Sequence, residues 1–210
     1  MLKYEEKLHL DKHYEKLQSS NLISKTASML WSTALFILMY YLLKLLINYL
    51  PGIFSAKGNN ILFTLWQVTF TTTDILSFIP CIIFFIYGGL KLNAVSRENH
   101  KVRDKDADTP SALLTDGMYK SVRHPMYGTF VMLQGSLFLS ICSLPGIIIA
   151  ILICAFQYMN ALWEEKRQLI PVFGEEYTAY SKKVRHVLFT TPETVIFICL
   201  IIMNMIFTIL

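Results

Sequence analysis

Between Met118 and Phe130 the chain reads MYKSVRHPMYGTF, and this stretch places a guanidinium, an imidazole and a proline side by side just before a long apolar run. Proline is favoured at the first position of a helix. The residue before a proline avoids helical backbone. Arg123 and His124 are therefore expected to stand at the N-terminus of a helix that begins at Pro125. Such an end presents unpaired amides and a partial positive charge, which suits an anion. Arg123 adds a fixed cation and His124 a donor or acceptor. Tyr127 and Gly128 fall on the first turn, where a glycine permits close approach of a ligand or of another helix. The stretch is a seat for a small anionic or zwitterionic group at a membrane surface. A plain basic anchor at the end of a membrane segment is the alternative, and the residues alone leave both open.

A second cluster ends the next apolar run, in CAFQYMNALWEEKRQL. At helical spacing Cys154, Tyr158, Ala161 and Glu165 share one face, with Gln157 beside them. The turn between the two runs, SLPG, is short and uncharged, so the runs must pack as neighbours. Glu165 is then expected at the same depth as Arg123, and a carboxylate from one helix meets Arg-His from the other. A solvated ion-pair cluster at the interface would produce the same pattern.

The elements that must position these residues are membrane spans. Of 210 residues 54% are hydrophobic and 16% charged, and the mean hydropathy is +0.45. Soluble domains are nearer to 25% charged. The net charge of +4 is small, and the basic residues sit beside apolar runs, which points away from nucleic acid. A span needs about 20 apolar residues. Five are expected, at about 27–50, 74–92, 125–142, 146–163 and 193–210. Residues 61–72 form a lead-in. The first span stops at Pro51-Gly52, and Lys44 within it is expected to snorkel to the far interface. Asp74 is expected as an N-cap of the second span, with a buried functional carboxylate as the alternative. The fold class is thus all-α, a polytopic helical membrane protein with one domain from residue 27. Before it lies a polar segment, 1–26, whose pattern suits a short surface helix and not a signal peptide.

Two charged loops, about 93–123 and 164–191, flank the uncharged hairpin and so face one side. Their lysines and arginines assign that side, with the N-terminus, to the cytoplasm. The four cysteines, Cys81, Cys142, Cys154 and Cys199, all fall in apolar runs with no CxxC pair, and read as small buried hydrophobes. No metal site is expected.

The residues of the two clusters carry a resemblance. Gly117, Tyr119, Arg123, His124, Pro125, Tyr127 and Gly128, then Glu165, then Phe173, Gly174, Tyr177, Tyr180 and Val184 are similar to the motifs of the isoprenylcysteine carboxyl methyltransferase and phospholipid methyltransferase superfamily. The likeness covers about residues 110–185. It implies a membrane-embedded methyltransferase that uses S-adenosyl-L-methionine, held by loop and helix ends. By this resemblance the cofactor contacts Ala112, Leu113, Leu114, Tyr119, His124, Pro125, Met126, Tyr127 and Glu165, with Arg123 as the active-site cation. The methionine carboxylate suits the helix N-terminus, and Glu165 its ammonium.

Two positions depart from the pattern. The family's glutamate pair begins at Glu165, but the next residue here is Lys166; the extra acid, Glu164, lies on the other side and inherits no role. The prenylcysteine enzymes also carry an arginine four residues before that glutamate, where this chain has Ala161. The expected activity is methyl transfer to a small or lipophilic acceptor at S, N or O. Gln134, Gly135 and Ser136 offer a lateral route for such an acceptor, or simply a helix-packing face. Two other classes stand beside it: a sterol-reductase-like enzyme using NADPH, and a non-catalytic protein on the same scaffold.

Overall fold

The apolar runs become long helices. The computed structural model describes residues 22–49, 61–65, 68–102 and 112–209. The expected N-terminal surface helix, the Pro51-Gly52 stop and residues 103–111 of the charged loop lie outside the described residues. Helix α1 spans Leu22–Tyr49, α2 Thr72–Val102, α3 Pro125–Leu139, α4 Leu144–Glu164, α5 Ile170–Lys183 and α6 Thr191–Ile209. The chain is an all-α polytopic membrane protein. Four helical runs, on α1, α2, α6 and α4 with its continuation, are long and apolar enough to cross a membrane.

The third expected span, at about 125–142, differs. Helix α3 has 15 residues, about 22 Å at 1.5 Å per residue, against a hydrocarbon core of about 30 Å. The lead-in at 61–72 is not helical. Ile61–Leu65 (β1) and Val68–Thr71 (β2) pair antiparallel, as their β-branched and aromatic residues favour. Helix α2 does not stop near residue 92 but runs on through the charged residues to Val102. No Gly or Pro interrupts it there, and it carries Glu98 and Asn99 to the site. The expected loop at 164–191 is mostly ordered helix: a π-turn at Glu165–Leu169 joins α4 to α5.

Side chains from α1, α2, α3, α4, α6 and the 187–189 segment meet in one core. Phe36 and Phe85 meet across α1 and α2 as tilted rings with centroids 4.8 Å apart, and Phe189 meets Phe197 at 5.6 Å. Gly135 abuts Phe197, and the Ser136 hydroxyl donates to the Met132 carbonyl. These two therefore serve helix packing, while Gln134 faces an outer groove between α3 and α4. The cysteines are free; Cys81 and Cys142 are buried as expected, whereas Cys199 is exposed on α6.

Two ion pairs lie inside this bundle, and the first corrects the sequence reading. Lys44 does not snorkel outward; its ammonium donates to Asp74 Oδ1, with both side chains buried. Asp74 is not the N-cap. Thr71 is: its hydroxyl accepts from the Asp74 amide at 3.3 Å, while Asp74 Oδ2 accepts from the Thr71 amide at 2.9 Å. This reciprocal arrangement is a capping box. At the other buried pair, Lys91 donates to Glu193, whose second oxygen accepts the Thr190 amide at 2.8 Å at the start of α6. Tyr87 donates to the same carboxylate at 2.7 Å. Each acid thus closes a helix end and ties α2 to a neighbour.

Candidate active site

Helix α3 begins where the proline requires. Pro125 takes the first position and His124 the N-cap, with non-helical φ −126° and ψ 64°. What holds Arg123 and His124 in place is backbone. The Arg123 amide donates to the His186 carbonyl at 2.9 Å and the His124 amide to Val187 at 2.8 Å. Gly128 makes this pairing possible. A Cβ there would lie 2.0 Å from the Leu188 carbonyl oxygen, so the glycine admits a neighbouring backbone and not a ligand. Gly128→Ala is expected to push the 186–188 segment off α3 and to destabilise the fold by about 1–3 kcal/mol. Thermal unfolding in detergent would read this, and an unchanged midpoint would contradict it.

The loop before α3 is held by the far end of α2. Glu98 accepts the Met118 amide at 3.0 Å, and the Tyr119 hydroxyl donates to Asn99 Oδ1. From α5 the Tyr180 hydroxyl donates to the Tyr119 carbonyl at 2.6 Å. Burial pushes the Tyr119 phenol well above its ordinary value, so it serves as a neutral donor.

At the centre His124 lies between two carboxylates. Its Nε2 is 3.0 Å from Glu165 Oε1, and its Nδ1 is 3.4 Å from Glu164 Oε2. An ionised carboxylate only accepts, so carboxylates facing both ring nitrogens favour the imidazolium form. Burial alone would depress its pKa, but the two glutamates outweigh that and raise it above 6.5. Arg123 Nε lies 3.2 Å from the same Glu165 oxygen, in poor hydrogen-bond geometry that leaves the Nε–H unpartnered. Tyr177 places its buried hydroxyl close enough to Glu165 to interact electrostatically, also without a well-formed hydrogen bond.

The raised His124 pKa has a direction in pH. A cation stabilised in the folded state contributes fully below its unfolded value, about 6.5, and loses that contribution as pH rises through the folded value. The thermal midpoint is therefore expected to fall as pH climbs from 6.5 through that value. His124→Gln should flatten this dependence; equal pH slopes for the two proteins would contradict the imidazolium.

Beside this cluster is a cavity of about 390 Å³, within the usual range for small-molecule sites of about 300–1,000 Å³. Of the residues expected at a cofactor site, Ala112, Leu113, Leu114, Tyr119, Arg123, His124, Met126 and Tyr127 line it. Pro125 is buried and does not. Glu165 does not either: it is 8% exposed and lies behind Arg123 and His124. Glu164, set aside in the sequence, lines the cavity instead. The walls also include Phe130, Gln168, Leu169, Phe173, Tyr177 and Tyr180, with Asn99 at the rim of α2. Tyr177, Tyr180 and Phe173 belong to the second motif, which was a usable signal for them. Gln168 lies four residues after Glu164, also a readable spacing. Asn99 has no signature, because its position depends on how far α2 continues. Ala161 is fully buried and brings no charge to the site.

Arg123, His124 and Glu164 make one part of the wall charged, whereas most of the remaining lining is apolar or aromatic. Such a surface is complementary to a zwitterion joined to a planar or apolar body.

The chain is 36% identical over 92 residues to the Protein-S-isoprenylcysteine O-methyltransferases of Mus musculus and Rattus norvegicus, and equally to that of Homo sapiens. The match covers 43% of this chain and 32% of each relative, so the chain matches about a third of the length of these curated proteins. The likeness to these O-methyltransferases thus covers a 92-residue stretch and not the motifs alone. No protein-family model matches the chain. No solved structure matches it.

Proposed function

We propose that this chain is an integral membrane methyltransferase that uses S-adenosyl-L-methionine to methylate a small or lipophilic acceptor at S, N or O. The observation that carries the reading is the charged part of the cavity wall, where Arg123 and His124 stand beside the Glu164 carboxylate at the start of an apolar helix. A methionine moiety carries one carboxylate and one ammonium, and this part of the wall offers a partner for each. The cofactor, when bound, supplies an electrophilic methyl group on a sulfonium.

The residues fit that chemistry. Arg123 would orient the carboxylate. Leu113, Leu114 and Phe173 would enclose the apolar body, and Tyr119 and Tyr127 would keep the reacting end dry. In-line displacement needs alignment above all, and a cavity walled by four helix or loop ends provides it. His124 is an imidazolium and so donates; it does not remove a proton from the acceptor. A carboxylate or thiol acceptor attacks as the anion, and an amine attacks as the free base and gives its proton to water after the transfer.

The relatives are named for an isoprenylcysteine substrate. Ala161 occupies the position where the resemblance expects the arginine that handles that substrate's carboxylate, so a prenylcysteine acceptor is placed beside other lipophilic thiols, amines and acids. Loops rich in Lys and Arg support a cytoplasmic site and N-terminus. The reductase reading is weaker: among the described residues lining the cavity, the cations are Arg123 and His124, fewer than the extra phosphate of NADPH calls for beside its pyrophosphate.

The test is incubation of purified protein in lipid with methyl-labelled S-adenosyl-L-methionine and a panel of prenylcysteine, lipid amines and hydrophobic thiols. Label should enter one acceptor class, and Arg123→Ala should abolish it. Absence of transfer to any acceptor, with NADPH oxidised in the presence of a sterol, would replace this reading with the reductase.

A further inference from the structure

We infer that Glu164 is the residue that takes the α-ammonium of the bound cofactor, and that Glu165 is a positioning residue behind it. This rests on the methyltransferase reading and refines it, because sequence motifs place that role on Glu165.

The two carboxylates are adjacent in sequence but not equivalent. Glu165 Oε1 already faces Arg123 Nε at 3.2 Å and His124 Nε2 at 3.0 Å. Its side chain is 10% exposed, and it does not line the cavity. An incoming ammonium would have to displace Arg123 or His124 to reach it. Glu164 is held more loosely: it meets His124 Nδ1 at 3.4 Å with a side chain 30% exposed, and the Tyr127 hydroxyl lies close enough to interact with it. It lines the cavity. An ammonium could replace the long His124 contact without displacing a cation, and the imidazolium would keep its partner in Glu165.

The helix geometry explains why both acids reach one ring. Successive residues on a helix point about 100° apart, so neighbouring side chains straddle an imidazole and meet its opposite edges. Glu164 is the last residue of α4 and Glu165 the first of the π-turn. Such single-turn widenings are frequent at functional sites. Here Glu165 points behind the wall while Glu164 stays at its surface. The shift of the acidic pair from 165–166 to 164–165 is thus accommodated with one acid in each role.

The experiment is a selectivity measurement. S-adenosylhomocysteine and its analogue lacking the amino group are titrated calorimetrically into detergent-purified full-length wild type, Glu164→Gln and Glu165→Gln. Wild type should prefer S-adenosylhomocysteine by roughly ten- to a hundredfold, the range for a charge-assisted hydrogen bond. Glu164→Gln should lose that preference while still binding the analogue as wild type does. Glu165→Gln should weaken both ligands yet keep the preference. If Glu164→Gln retains it, or if Glu165→Gln is the variant that loses it, the assignment is wrong. A folded wild type that binds neither ligand would instead overturn the methyltransferase reading, and this inference with it.

Discussion

Glu165→Ala is expected to destabilise the protein by about 3–5 kcal/mol and to abolish cofactor binding. Removing one member of a buried charge cluster leaves the others uncompensated. Glu165 is 8% exposed and faces two cations at once. Without it, Arg123 and His124 sit side by side with only Glu164, through a 3.4 Å contact, to offset them. His124 would then lose its proton or swing away, and either change distorts the charged part of the cavity wall. Glu165→Gln should cost less, because the amide oxygen can still accept from His124. Thermal unfolding in detergent and titration with S-adenosylhomocysteine would read the two effects. A Glu165→Ala protein with wild-type stability would show that the cluster is solvated and unimportant to the fold.

The second large effect lies at the other end of the bundle. Asp74 is 1% exposed and Lys44 6%, and no other charged group is near Asp74 among the described contacts. Asp74→Ala or Lys44→Ala alone should each destabilise by about 3–5 kcal/mol. Asp74→Ala also removes the acceptor for the Thr71 amide, a loss typically near 1 kcal/mol for a helix cap. The double change Lys44→Met with Asp74→Leu should recover most of the loss, since a buried pair replaced by apolar side chains is often neutral. Asp74→Asn should keep the cap and lose the pair. Unfolding midpoints of the four variants check this. If the double variant is as unstable as either single one, the pair contributes more than mutual neutralisation, and a functional carboxylate at Asp74 regains weight.

These residues show what the sequence could and could not reveal. The start of α3 was legible because proline and the residue before it obey local backbone rules. The adjacency of α3 and α4 was legible because SLPG is too short for anything else; Ser143 does cap α4, its hydroxyl accepting the Gly146 amide at 3.2 Å. Most of the cavity wall followed from the two motifs. The ion pairs were not legible, since Lys44 and Asp74 are 30 residues apart and Lys91 and Glu193 102, and only tertiary packing selects such partners. Composition made α2 look finished near Leu92, yet no helix-breaking residue stood between there and Val102, and the charged turns simply continued beyond the core. Glu164 was set aside by alignment to a motif, whereas its position depends on where α4 widens into the π-turn.

The most direct measurement of the central claim is calorimetric titration of S-adenosyl-L-methionine, S-adenosylhomocysteine and NADPH into the wild-type protein in detergent, beside Arg123→Ala. Saturable binding of the two sulfur ligands to wild type, abolished by Arg123→Ala and absent with NADPH, is the predicted result. A folded wild-type protein that binds NADPH, or none of the three, would contradict it.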